Sequence, residues 1–180
     1  MLFARDHLAD IHAGEDNALF WACRNAPLEV VEFLLQSGAD VYARNRSLIN
    51  TAIKRGDISL LELLAKYNVD LQGRTRYDFF TSQTNSSSLT DAGSSGRKEI
   101  VDWLLKKEID IHTGSDAALM AAVNKCDFQM VSFLLNNGAN IHARYDEAFH
   151  FAHINARRRR HPSSNNCFLT YDTLVDRIIH

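Results

Sequence analysis

The chain has 180 residues, 46% of them apolar and 23% charged, and 20 Lys and Arg stand against 22 Asp and Glu for a net charge of −2. That balance supplies no global attraction for nucleic acid, and two prolines and eight glycines exclude collagen and long low-complexity linkers. No apolar run reaches the about 18 residues a membrane helix needs, and Met1–Asp6 turns charged too early for a signal peptide. The three cysteines, Cys23, Cys126 and Cys167, form no C-x-x-C pair. They are expected as free thiols, which suits an intracellular, cytoplasmic chain.

A repeat governs the rest. Asp10-Ile11-His12-Ala13, Asp110-Ile111-His112-Thr113 and Asn140-Ile141-His142-Ala143 align, with Asp40-Val41-Tyr42-Ala43 and Asp70-Leu71-Gln72-Gly73 as weaker copies. The starts lie 30, 30, 40 and 30 residues apart. Phe33-Leu34-Leu35-Gln36-Ser37-Gly38-Ala39 returns as Phe133-Leu134-Leu135-Asn136-Asn137-Gly138-Ala139, a recurrence chance does not produce. The units are 10–39, 40–69, 70–109, 110–139 and a divergent 140–180, after a short remnant at 1–9.

Each unit reads as helix, turn, helix, loop. In the first, Ala18, Leu19, Ala22 and Cys23 share a narrow apolar face, with Asp16 or Asn17 as N-cap candidates. Pro27 opens a second helix carrying Val30, Val31, Phe33, Leu34 and Leu35, and Gly38 ends it in the left-handed conformation. The third unit has a clear second helix at Lys98–Leu105. Leu89 and Ala92 mark only a remnant of its first, weakened by Gly93, Ser94, Ser95 and Gly96. Its ten extra residues fall in an insertion at 73–88.

The fourth unit repeats the first with Leu119, Ala122 and Val123, then Met130, Val131 and Leu134. Cys126 falls on this packed face as an inert residue. The fifth decays after Ala152 into a polar stretch that includes Arg157–Arg160. A last helix from Tyr171 to His180, capped by Thr170, closes the stack with Leu174 packed on one side only. No unit can bury its apolar face alone, so stacking into a single domain over 1–180 is expected.

This pattern resembles the ankyrin-repeat family. The T-P-L-H-x-A signature survives only as the Leu and final Ala of Asn17–Ala22 and Ala117–Ala122, whereas Glu29-Val30-Val31-Glu32-Phe33-Leu34-Leu35 and Gly38-Ala39-Asp40 are well kept. The 30-residue period with D-I-H-A is similar to the ankyrin arrays of giant DNA viruses that infect amoebae. The resemblance implies an all-α solenoid of about five helix-turn-helix repeats. It also implies a non-catalytic module that binds a protein partner, a host protein if the source is viral.

The sequence holds no catalytic candidate. His12, His112 and His142 occupy one repeat position and so fall in separate layers, too far apart to share a zinc, and neither metal nor cofactor is expected. His150 and His153 lack a full ligand set. Gly93–Lys98 lacks the spacing of a phosphate loop. Arg157–Arg160 is the alternative site, for nucleic acid or an acidic partner. A monomer without membrane insertion is expected.

The family resemblance implies a binding face made of first helices and loops. It comprises Trp21, Thr51, Asp91, Ala121 and Phe151 just before each signature Ala, with Arg24, Lys54, Ser94, Asn124 and Ile154 two beyond it. Loop tips add Glu15, Arg44, Arg46, Ser115 and Tyr145, and the insertion adds Tyr77, Phe79 and Phe80. Exposed Trp, Tyr and Arg are the usual interface anchors.

Overall fold

The computed structural model describes residues 13–41, 48–72, 87–158 and 165–179, and among them every regular element is an α-helix. The chain forms two units, Met1–Gln83 and Thr84–His180, divided within the insertion.

In the first unit α1 (Ala13–Asn25) pairs with α2 (Leu28–Gln36), and α3 (Leu48–Arg55) with α4 (Ile58–Lys66). First helix packs on first helix and second on second. The second unit holds α5 (Ser88–Ser94), α6 (Lys98–Lys106), α7 (Thr113–Lys125), α8 (Phe128–Asn136), α9 (Ala143–Arg158) and α10 (Asn165–Ile179). There α5, α7 and α9 pack in a row; α6 and α8 lie against α5 and α7, and α10 packs on both α8 and α9. Thus α10 packs where a second helix of a fifth repeat would lie.

The core follows the repeat register. Leu19 and Ile49 in one unit, and Leu89 and Leu119 in the other, are buried at one position of the first helices; Ala22, Ala52, Ala92, Ala122 and Ala152 are buried at the next. Val31, Leu61, Val101 and Val131 fill the second helices. Removing each such side chain from water is worth about 1.5–3 kcal/mol. An added Cβ at Gly93 would stand 3.0 Å from the Ala118 carbonyl oxygen. Gly93, which weakens α5 as a helix, is therefore what lets α5 and α7 approach.

The second helices α2, α4, α6 and α8 end the same way. The amides of Ala39, Val69, Ile109 and Ala139 donate to the carbonyls of Leu34, Leu64, Leu104 and Leu134, five residues back, at 3.0–3.2 Å. The residue before each is left-handed: Gly38, Asn68, Glu108 and Gly138. Two glycines are thus replaced by residues with a Cβ, for which this conformation costs about 1–2 kcal/mol. Asp57 and Asp127 cap α4 and α8 by accepting from the Leu60 and Met130 amides. The Arg55 guanidinium donates to the Ala26 carbonyl at 2.6 Å and pairs with Asp57 at 3.3 Å, so α3 neutralises the negative end of α1.

The structure corrects several local expectations. Asp16 and Asn17 lie inside α1 rather than before it. The insertion overlaps α5, because Ser87 caps that helix and Ser88 begins it. The fifth repeat does not decay at Ala152; α9 runs on to Arg158. The last helix begins at Asn165, so Thr170 is a buried interior residue and not a cap, and Leu174 is as fully buried as Leu134. Cys126 and Cys167 are not free thiols but a disulfide across 41 residues, leaving Cys23 as the free cysteine. No short motif announces that pair, since only the packing of α10 brings it together.

Glu108 is exposed at a left-handed position that Gly38 and Gly138 fill in their repeats. Glu108→Gly should stabilise the chain by about 0.5–1 kcal/mol, the relieved crowding exceeding the added backbone entropy. The measurement is the urea midpoint.

Candidate interaction surface

Each described repeat start folds by the same local logic. The side-chain oxygens of Asp70, Asp110 and Asn140 accept from the backbone amides of Gln72, His112 and His142, at 3.3, 2.9 and 2.9 Å. These short polar side chains close a turn on their own backbone. In the second unit three left-handed residues follow: Gly114, Ser115 and Asp116 before the body of α7, and Arg144, Tyr145 and Asp146 before that of α9. Such backbone is disfavoured for residues with a Cβ, and side chains hold it in place. His112 Nδ1 lies 3.1 Å from Asp116 Oδ1, and His142 Nδ1 lies 2.5 Å from Asp146 Oδ1.

The two turns are also tied to each other. Asp116 Oδ1 accepts from the Asn140 amide at 2.8 Å, and Arg144 Nη2 donates to the Gly114 carbonyl at 2.7 Å. Tyr145 stands at the tip with its side chain wholly exposed, at 101%. The aspartate of this device escaped the sequence reading, although His-x-x-x-Asp recurs as His12/Asp16, His112/Asp116 and His142/Asp146.

In the first unit the outer face of α1 carries Trp21, 50% exposed where neighbouring Leu19 and Ala22 are buried. Phe20 packs edge-on at 5.6 Å, and the Arg24 guanidinium lies 5.6 Å from the Trp21 ring. Arg24 and Lys54 are exposed and Thr51 is half-buried. In the second unit Asn124 is exposed, while Asp91, Ser94, Ala121, Phe151 and Ile154 are half-buried. The expected face therefore stands outside the core in both units, as two sets: Trp21, Arg24, Thr51 and Lys54 in one, Asn124, Tyr145 and Phe151 in the other. Glu15 belongs to the span of α1 and not to a loop tip. Arg44, Arg46, Tyr77, Phe79 and Phe80 lie outside the described residues, as do the side chains of Arg157–Arg160.

Among the described residues no three His, Cys, Asp or Glu side chains converge as metal ligands, and no helix is long and apolar enough to cross a membrane. His150 is exposed, while the His153 ring packs 5.4 Å from that of Tyr171. Burial pushes the Cys23 thiol up to about 12, against a weaker opposing pull from Arg55. A thiol so raised forms no nucleophilic thiolate near neutral pH.

Two outcomes follow. Asp116 is buried and Asp146 is 55% exposed. Asp116→Ala, which leaves the Asn140 amide unpaired, should cost about 1–3 kcal/mol, and Asp146→Ala well under 1 kcal/mol, the range of exposed pairs; urea unfolding decides. Cys23 should resist alkylation in the native chain at pH 8 and react on unfolding. Because its folded pKa exceeds the unfolded value of 9.0, it contributes stability below pH 9 that is lost as pH rises toward 12.

Comparison with known proteins agrees with this geometry. Residues 19–65 match the family profile for ankyrin repeats (many copies), and residues 115–146 match that for the ankyrin repeat. The human protein named ankyrin repeat and KH domain-containing protein 1 is 38% identical over 63 residues, which are 35% of this chain and 2% of that protein. The chain thus spans far less than two thirds of that relative's length. One match falls in each structural unit, over helices whose register, caps and turns repeat. The chain carries ankyrin repeats at 19–65 and at 115–146.

Proposed function

We propose that the chain is a non-catalytic protein-interaction module whose partner contacts the first-helix and loop faces of its units. Ankyrin repeats generally mediate protein–protein interaction. The observation that carries the reading here is the exposure of Trp21 and Tyr145 on the first-helix and loop side; Phe33, which the sequence places with the packed residues of α2, is also exposed, but on a second helix. Aromatic anchors carry a large share of interface energy because they bury much area at little entropic cost. Both are held by their surroundings, Trp21 by Phe20 and Arg24, and Tyr145 by a turn locked with His142 and Asp146. The 30-residue spacing and the D-I-H-A phrase support kinship with the arrays of amoebal giant viruses, which would make the partner a host protein.

The test is site-specific photocrosslinking in the source cell from a photoreactive phenylalanine at 21 or 145, with Glu62, exposed on second helix α4, as control. One partner should be captured from 21 or 145 and not from 62. Trp21→Ala or Tyr145→Ala should then weaken that partner by about 1–4 kcal/mol, the range of interface anchors. Capture from 62 alone would refute the assigned face.

A further inference from the structure

The cysteine pair is the one covalent tie in the fold that the repeat does not explain. The turn joining the two helices of a repeat is left-handed at Gly56, Gly96 and Cys126, with φ of 82°, 68° and 55°. Glycine takes that conformation freely, whereas a Cβ crowds the neighbouring carbonyl. Cys126 stands where Gly56 and Gly96 stand in two other repeats, whereas Ala26, its counterpart in the first, is not left-handed. Its side chain reaches Cys167, in the first turn of α10, with the two Cα atoms 4.7 Å apart. That separation lies within the range a disulfide bridges without backbone movement, and both residues are buried.

Helix α10 also packs on α8 and α9. Cys167, Thr170 and Leu174 fall at i, i+3 and i+7 on one buried face. Tyr171 rests its ring 5.3 Å from Phe149 and 5.4 Å from His153 on α9. The bond joins the beginning of this helix to the turn between α7 and α8 and so fixes where α10 starts against the repeat before it.

We propose that the Cys126–Cys167 bond is a redox latch that fastens α10 over the α8–α9 surface and, when reduced, lets that helix lift and uncover the apolar face beneath it. Closing the latch joins the two sulfurs. Two protons and two electrons leave the thiols and pass to a low-molecular-weight disulfide such as glutathione disulfide, which departs as two thiols. Opening is the reverse: a thiolate of a dithiol reductant attacks one sulfur, a mixed disulfide forms, and its resolution returns both cysteine thiols. Because both sulfurs are buried, the attack waits for local opening of α10, so reduction and helix motion are coupled.

The test uses the full chain equilibrated with glutathione disulfide and, separately, with dithiothreitol. Thiols are counted after denaturation, and amide hydrogen exchange is followed by helix. The oxidised chain should titrate one thiol, Cys23, and the reduced chain three. Reduction should speed exchange across 169–176 at least tenfold while α1–α4 and α5–α6 keep their protection. Cys126→Gly, which restores the residue found at 56 and 96, should show the fast α10 exchange under either condition with its turn intact. Three thiols in the oxidised chain would overturn the latch, as would α10 exchange indifferent to reduction. A rise shared equally by α5 and α6 would overturn it too, since the bond would then be a staple for the whole unit. All three results come from the unmutated chain, so they stand even if the variant does not fold.

Discussion

The fold depends on one steric constraint, the smallness of the residue where neighbouring first helices meet. Ala22 and Ala52 in one unit, and Ala92, Ala122 and Ala152 in the other, present nothing beyond a methyl group and are all buried. Gly93 goes further, since even a methyl there would meet the Ala118 carbonyl. Where two backbones approach this closely, dispersion is gained along the whole contact and a single larger side chain would hold the helices apart. The bulky residues are thereby assigned to the second helices. Val31, Leu61, Val101 and Val131 fill the space the first helices leave, and the division of labour recurs every 30 residues except across the insertion.

The helices were legible because their signal is periodic. Apolar spacing located the helix pair of each repeat in kind, α5 only as a remnant, and the recurrence of Gly38 as Gly138 located two of the left-handed stops. The misses share a different cause. Asn68, Glu108 and Cys126 adopt the same conformation as glycine because hydrogen bonds and packing impose it, and nothing in their side chains advertises this. Helix α10 begins earlier than its Leu-Val-Ile-Ile pattern because Cys167 and Thr170 are buried by tertiary contact rather than by being apolar. The disulfide joins residues from a turn and a terminal helix 41 positions apart, a relation that exists only after folding.

The exposed side of the first helices was legible by subtraction. Once Leu19, Ala22 and Cys23 are committed to the core, Trp21 and Arg24 have only the outer face of α1 left. The same subtraction puts Lys54 on α3 and Asn124 on α7 outside. It was weaker for the loops, where backbone conformation and not helical periodicity decides exposure. Tyr145 is wholly exposed because it is the middle of three left-handed residues, a property set by His142, Asn140 and Asp146 around it.

The cross-ties between the last two turns have a consequence for how fast a partner is lost. Asp116 grips the backbone of Asn140 while Arg144 grips that of Gly114, so each turn is held from the other's side. A loop free to sample many shapes must surrender that freedom at the moment of contact, and the cost appears as a weaker complex. Here the ordering has already been done during folding, by groups other than the one on display. A side chain offered from such a mount loses little on capture beyond its own rotamers. Under the function proposed above, a partner landing on it gains residence time without gaining a single new contact.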